Sequence, residues 1–338
     1  MVRSLLKRNI KMNKAKIKNI GVFTSGGDAP GMNAAIRAVV RTALYYDLNV
    51  TGILRGYDGM ISGEFMQMDR KSVANIIQRG GTLLKTARSD EFRTKEGRAK
   101  AYEQLMENGI DAIVAIGGDG TFTGANIFHE EFTIPVIGLP GTIDNDLMGT
   151  DFTIGYDTAI NTVIDAVDKI RDTAESHDRL FIVEVMGRDS GLIALRSGIG
   201  SGAEAILIPE TKTDINALIH RLEISRKDKS SKIIIVAEGD DVGGAFEIAK
   251  IVKDKFPGID TRVSILGHIQ RGGAPSCMDR VLASRLGVAA VEALMEGRTC
   301  EMIGIVNQKI HFTPFSSAIK HNTDVNSELL KIVDILSL

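Results

Sequence analysis

The sequence has 338 residues, 43% of them hydrophobic and 25% charged, with a formal net charge of -2; that is chain enough for two ordinary α/β domains or one large one. The near balance of charge argues against a general nucleic-acid or membrane-surface binder, which carries a basic excess, and leaves anionic small ligands open. Cys277 and Cys300 lack metal-ligand spacing or a disulfide framework, which fits a reducing cytoplasm, and no apolar run approaches the ~18 residues of a membrane helix.

The lead from Met1 to Asn19 is basic and contains no acidic residue. A transit peptide shares that feature but is also Ser-rich, so residues 1–15 read as a solvated tail, with Met12 an alternative start. Ile17 to Thr24 predicts a buried strand running into Ser25-Gly26-Gly27-Asp28-Ala29-Pro30-Gly31, after which Ile36, Val39, Val40, Ala43 and Leu44 fall at helical spacing. A glycine turn feeding a helix lets backbone N–H groups approach an anion, phosphate being the natural one, although a tight strand-helix connection uses the same residues. Neither a Walker A lysine pattern nor GxGxxG is present. Arg37 and Arg41 share a helix face and repel unless an anion lies between them, or they simply face solvent.

Val50 to Leu54 predicts a second strand, ending at Arg55-Gly56-Tyr57-Asp58-Gly59. Gly80-Gly81-Thr82 then leads to Arg88 and Ser89, where an arginine on a loop of small residues can clamp phosphate or belong to a basic surface loop. Ile110 to Ile116 repeats the opening pattern: an apolar run, then Gly117-Gly118-Asp119-Gly120-Thr121, then a helix. An aspartate inside that turn suits Mg²⁺ beside bound phosphate, or a helix N-cap. Ile134 to Leu139 ends in Pro140-Gly141 and presents Thr142, Asp144 and Asp146 at alternate positions, which in an extended segment share one face. Two carboxylates so placed favour a nearby cation, a proton or a hydroxyl-rich ligand, while an Asx-rich turn is the bland alternative.

A helix after Gly155 is predicted through Ile160, Val163, Ile164, Val167 and Ile170 to near Arg171. Strands follow at Leu180 to Met186, Ala205 to Ile208, Ile233 to Ala237 and Val263 to Leu266. Gly187-Arg188, Glu238-Gly239-Asp240 and Gly267-His268-Ile269-Gln270-Arg271-Gly272-Gly273 close the first, third and fourth of these. Repeated strand, turn and helix predict an α/β protein with doubly wound, mainly parallel sheets. Ligands bind outside the carboxyl ends of such strands. Those ends carry SGGD, GGDGT, TIDND, MGR, EGD and GHIQRGG, which raises Met186 and His268 from core and structural residues to candidate contacts.

From about Lys16 onward the chain resembles the bacterial ATP-dependent 6-phosphofructokinases, with SGGDAPGMNAAIR, RGGT, GGDG, PGTIDND, EVMGR and GHIQRGG in family order. GGDGT alone also suits NAD and lipid kinases; the combination is specific. The resemblance implies two domains with the active site between them: an ATP-binding domain from 16–155 plus 275–322, and a sugar-phosphate domain from 156–274 plus 323–338. It implies that Gly27, Tyr57, Arg88, Ser89, Gly118, Asp119, Gly120, Thr121 and Gly124 hold ATP. Asp119 and Asp146 are then the metal positions, for Mg²⁺. Asp144 is implied as the base on the sugar 1-hydroxyl, with Thr142, Arg188 and Gly27 completing the catalytic set. Met186, Gly187, Arg188, Glu238, His268 and Arg271 match contacts to fructose 6-phosphate, shared with Thr142, Asp144 and Asp146. Arg179 and Arg262 match arginines that reach the 6-phosphate from a neighbouring subunit, in an enzyme that is usually a cytoplasmic homotetramer.

An effector site for ADP or phosphoenolpyruvate is implied at Arg37, Arg41, Arg70, Arg171, Glu204, Lys227 and Lys229. In pyrophosphate-dependent relatives, Asp and Lys stand at the positions of Gly120 and Gly141, so glycine at both implies ATP as donor. Asp189-Ser190 and Ile127 depart from the pattern. The rival readings are a pyrophosphate-dependent or other phosphosugar kinase of the same fold, a non-catalytic nucleotide sensor, and a dehydrogenase, which the missing GxGxxG disfavours.

Overall fold

The computed structural model describes residues 17–225, 232–319 and 327–336; residues 1–15, Lys227 and Lys229 lie outside them. Contacts divide the chain into two units. The first spans Met1–Thr142, Leu147–Gly155 and Gly273–His321, and the second spans Ile143–Asp146, Tyr156–Gly272 and Asn322–Leu338.

In the first unit the strands are β1 (Asn19–Thr24), β2 (Asn49–Ile53), β3 (Phe65–Met68), β4 (Ala112–Gly117), β5 (Val136–Pro140), β10 (Glu301–Val306) and β11 (Lys309–Pro314). Its helices are α1 (Met32–Tyr45), α2 (Gly56–Ser62), α3 (Lys95–Glu107), α4 (Asp119–Phe132), α9 (Cys277–Met295) and α10 (Phe315–Ala318). The sheet order is β11-β10-β5-β4-β1-β2-β3. β1 pairs in parallel with both β2 and β4. The chain winds outward from β1 in one direction and later from β4 in the other, so the point where strand order reverses lies between β1 and β4, at SGGD and GGDG. That is where an open α/β sheet leaves a crevice for a ligand.

Two antiparallel edges were not foreseen. β3 pairs with β2, and β10 and β11 form a hairpin. Its two-residue turn places Asn307 and Gln308 both at positive φ, 48° and 65°, a turn that usually advertises itself with glycine. Without a glycine the signal is weak.

The core of this unit is an aromatic and aliphatic cluster that includes Phe23, Tyr57, Phe92, Phe122, Phe128 and Phe315. On the other face α1 packs on α9 so closely that a Cβ at Gly287 would come within 2.6 Å of Ala38 Cβ and 3.1 Å of the Ala35 carbonyl. Gly287→Ala is expected to destabilise the unit by about 1–3 kcal/mol through overpacking against rigid backbone, read as a lowered urea midpoint with unchanged far-UV circular dichroism.

The second unit holds β6 (Leu180–Val185), β7 (Ala205–Leu207), β8 (Lys232–Ala237) and β9 (Thr261–Ile265), all parallel, in the order β7-β8-β6-β9. Its helices are α5 (Tyr156–Glu175), α6 (Leu192–Ser201), α7 (Ile215–Ser225), α8 (Gly244–Lys255) and α11 (Ser327–Leu336). β8 is buried at every position, as a parallel strand covered on both faces must be. No described helix is long and apolar enough to cross a membrane.

Candidate active site

In the first unit the two glycine turns are tied together by backbone. Ser25 N donates to the Ile116 carbonyl (3.0 Å), Gly141 N to the Gly117 carbonyl (2.9 Å), and Thr121 Oγ1 to the Ser25 carbonyl (3.3 Å). The ends of β1, β4 and β5 therefore form one hydrogen-bonded edge. Gly117 is required there, since a Cβ would lie 2.3 Å from Thr121 Oγ1 and 2.6 Å from the Ser25 carbonyl.

Helix α4 begins directly at Asp119, with Gly118 as its N-cap, so the N–H groups of its first turn and its dipole face outward beside the exposed Gly26 and Gly27. The first glycine turn joins strand to helix as expected, with a short loop between them. α1 starts only at Met32, after Pro30 and an N-cap Gly31 at φ 110°, so SGGD is a loop at a strand end and not the first turn of a helix.

Around this edge Tyr57 is buried, donates to the Thr121 carbonyl at 2.6 Å, and stacks on Phe92 with ring centroids 3.9 Å apart. Burial pushes its hydroxyl well above the ordinary phenol range, and the hydroxyl is committed to α4. Gly124 lies against the same ring, where a Cβ would stand 3.1 Å away. Thr86 Oγ1 donates to the Gly26 carbonyl (2.7 Å), holding the loop that carries the exposed Arg88 and the half-buried Ser89. Asn33, buried on α1, donates to the Arg79 and Gly80 carbonyls and accepts from Leu83 N.

In the second unit, β8, β6 and β9 are neighbours, and their carboxyl ends bring together Glu238, the Met186-Gly187-Arg188 turn and His268 to Arg271. Glu238 Oε1 accepts from Arg188 N (2.8 Å) and Gly187 N (3.3 Å), while buried Gln270 Oε1 accepts from Met186 N (3.3 Å). Glu210 Oε1 accepts from Gly191 N (2.8 Å) at the start of α6. Arg188 adopts φ 55°, a conformation that costs a non-glycine residue free energy and persists only where surrounding bonds hold it. His268 is exposed.

Arg179 and Arg262 sit at the opposite end of this sheet, where β6 and β9 begin. Both reach Asp260: Arg179 Nε at 2.7 Å from Oδ2 and Arg262 Nε at 2.9 Å from Oδ1. Hydrogen bonds from Arg179 and then Arg262 hold the Asp260 carboxyl below its ordinary range.

The family model for phosphofructokinase matches residues 19–294. An ATP-dependent 6-phosphofructokinase of Cytophaga hutchinsonii is 58% identical over 322 residues, covering 95% of this chain and 98% of that protein. The chain belongs to the phosphofructokinase family. ATP-dependent 6-phosphofructokinase 2 of Bacteroides thetaiotaomicron is 57% identical over 323 residues, covering 95% of this chain and 99% of that one. The solved phosphofructokinase of Saccharomyces cerevisiae matches with a TM-score of 0.85 at 38% identity, over 95% of this chain and 47% of the yeast chain.

The TIDND stretch departs in local shape from the extended alternation that its residues predict. The strand ends at Pro140, the backbone bends at Ile143 and Asp144, and Asn145 is left-handed at φ 54°. Strict alternation therefore stops: Thr142, Ile143 and Asp146 are all buried and Asp144 is half-buried. Thr142 groups with the first unit, its carbonyl accepting from Thr153 Oγ1 at 2.6 Å, whereas Asp144 and Asp146 group with the second.

Of the effector set, Arg37 and Arg41 share a face of α1, and burial, then the Arg41 charge, lowers Arg37 from the ordinary guanidinium range. Arg70 is exposed. Arg171 donates to the Ser201 and Gly202 carbonyls at the end of α6, and buried Glu204 accepts from Ile233 N at 2.6 Å, so both also have structural partners. Asn33, Glu210 and Gln270 were not singled out in sequence. Asn33 and Gln270 lie inside quoted motifs, but amide side chains that bind backbone have no spacing signature.

Proposed function

We infer that this chain is an ATP-dependent 6-phosphofructokinase. It transfers the γ-phosphoryl group of ATP to the 1-hydroxyl of fructose 6-phosphate, giving fructose 1,6-bisphosphate and ADP, a committed step of glycolysis. The observation that carries this reading is near full-length identity to ATP-dependent relatives, 58% and 57%, in a chain that keeps glycine at 120 and 141.

Phosphoryl transfer demands mainly positioning and charge neutralisation. The backbone N–H groups of Gly27 and of the first turn of α4, with Arg88, suit the ATP phosphates. Thr121, Gly124 and the Tyr57 ring shape the wall beside them. Mg²⁺ bound with a nucleotide takes one or two carboxylates and completes its shell with phosphate oxygens and water. Half-buried Asp119 in the first turn of α4, and Asp146, fit that limited role. Among the described residues no three acidic, histidine or cysteine side chains cluster as a dedicated cage. When bound, the ion would neutralise phosphate charge.

On the sugar side Asp144 accepts the 1-hydroxyl proton as that oxygen forms its bond to phosphorus and the bond to the ADP oxygen breaks. Thr142 and Arg188 stabilise the transferring group. Met186, Gly187, Glu238, His268 and Arg271 hold fructose 6-phosphate, and Arg179 and Arg262 serve the 6-phosphate of a neighbouring subunit. The finer reading is a cytoplasmic homotetramer regulated by ADP or phosphoenolpyruvate at Arg37, Arg41, Arg70, Arg171, Glu204, Lys227 and Lys229.

The test supplies fructose 6-phosphate and Mg²⁺ with either ATP or pyrophosphate and follows fructose 1,6-bisphosphate. ATP-dependent product is expected. Product with pyrophosphate alone would overturn the donor while leaving the family intact, and no product with either would overturn the acceptor.

A further inference from the structure

Arg98, on α3, is a buried cation, 8% exposed, outside every motif that carries the proposed reaction. Each of its three guanidinium nitrogens is engaged. Nε and Nη2 bind the two carboxylate oxygens of Glu131 at 2.6 and 2.7 Å, and Nη1 donates to the Phe92 and Arg93 carbonyls at 3.1 and 2.8 Å. A bidentate, charge-assisted pair of this kind fixes geometry as well as contributing energy.

Both ends of that network lead to the nucleotide half. Phe92 and Arg93 lie in the one-turn 3-10 segment Glu91–Arg93 that follows Arg88 and Ser89, and Ser89 Oγ accepts from Phe92 N at 3.3 Å. The loop is thus held at one side by Thr86 on the Gly26 carbonyl and at the other by Arg98. From Phe92 the contact continues by stacking to Tyr57, whose hydroxyl binds the Thr121 carbonyl. Glu131 closes the circuit, since it belongs to the last turn of α4, the helix whose first turn is Asp119 to Thr121.

We propose that Arg98 is a positioning residue for ATP: with Glu131 it locks the Arg88–Arg93 loop and the Phe92–Tyr57 stack to both ends of α4, setting the width of the nucleotide pocket. This rests on the ATP reading above. The hydrogen bond from Arg98 holds Glu131 below its ordinary carboxyl range, so the pair stays ionised. Lysine keeps the charge and three donors on a single nitrogen but has no planar fork, and so cannot span both carboxylate oxygens and both carbonyls at once.

The experiment compares wild type, Arg98→Lys and Phe92→Leu by calorimetric titration with MgATP, and by steady-state kinetics with each substrate varied in turn. A roughly tenfold weaker MgATP affinity and KM for ATP is expected for both variants. KM for fructose 6-phosphate should change less than twofold and kcat at saturating ATP less than threefold. Equal change in both KM values, or unchanged ATP binding in a folded variant, would reduce Arg98 to a structural bolt and overturn the proposal. Should Arg98→Lys fail to fold, Glu131→Gln decides in its place by the same criteria, because it removes the carboxylate that Arg98 grips while leaving the bonds to the Phe92 and Arg93 carbonyls. Absence of MgATP binding by wild type would overturn the ATP reading itself, and this proposal with it.

Discussion

Asp144→Ser is expected to lower kcat by roughly 10²–10⁴-fold, the range a positioned general base contributes, while fructose 6-phosphate still binds within a few-fold of wild type. Serine is small and neutral, and its hydroxyl accepts no proton at neutral pH. The reacting alcohol would then lose its proton to water, unassisted. Position 144 lies in a bend outside any strand or helix and is only half-buried, so the fold has little to lose. On the proposed reading the sugar phosphate is held by other groups, including the Met186–Arg188 backbone that Glu238 and Gln270 fix, so binding and turnover should separate. Turnover by coupled assay and binding by calorimetry read the two quantities, and a kcat within tenfold of wild type would remove Asp144 as the base.

Gly120→Asp is expected to cut kcat/KM for ATP by at least about 100-fold without lowering the melting temperature. A Cβ at Gly120 meets nothing within 4 Å, and an aspartate in a helix's first turn is favourable for the helix itself. The cost falls on the ligand. A second carboxylate next to Asp119 opposes phosphate at the same α4 terminus, and like charges ~4–5 Å apart near a surface repel by about 3–4 kcal/mol. The companion change Gly141→Lys is a poorer test. A Cβ there comes within 3.0 Å of Ile116 Cγ2 and 3.1 Å of Met32 Cε, so packing and chemistry would change together. Unimpaired ATP turnover in Gly120→Asp would remove the glycine argument for the donor.

The strands that carry chemistry were legible because the central parallel strands are buried and read as short apolar runs, and each, the partly exposed edge strand β9 included, ran into a glycine-bearing turn. β1, β4, β5, β6, β8 and β9 all lie within a residue or two of their expected bounds. The edges were not legible. β3 and β11 are partly exposed edge strands with few fully buried positions, so their patterns are weak; β10 is buried at its four central positions, but Asn307-Gln308 makes a left-handed turn without glycine, so the hairpin it forms with β11 goes unannounced. The local shape of TIDND also escaped, because alternation is a property of extended backbone and nothing in the residue types announces the left-handed Asn145.

By itself, then, the chain's sequence determined the α/β class, the succession of strand-end motifs and membership of the family, since each depends on residues close together along the chain. Tertiary structure alone decided which ends are neighbours: β1 beside β4 at the reversal of strand order, β8, β6 and β9 side by side, and Arg179 with Arg262 joined through Asp260 at the far end of their sheet. It alone revealed Arg98 and Glu131, which are 33 residues apart. Such pairs form when a buried charge must find its partner wherever the fold presents one, and sequence spacing carries no trace of that requirement.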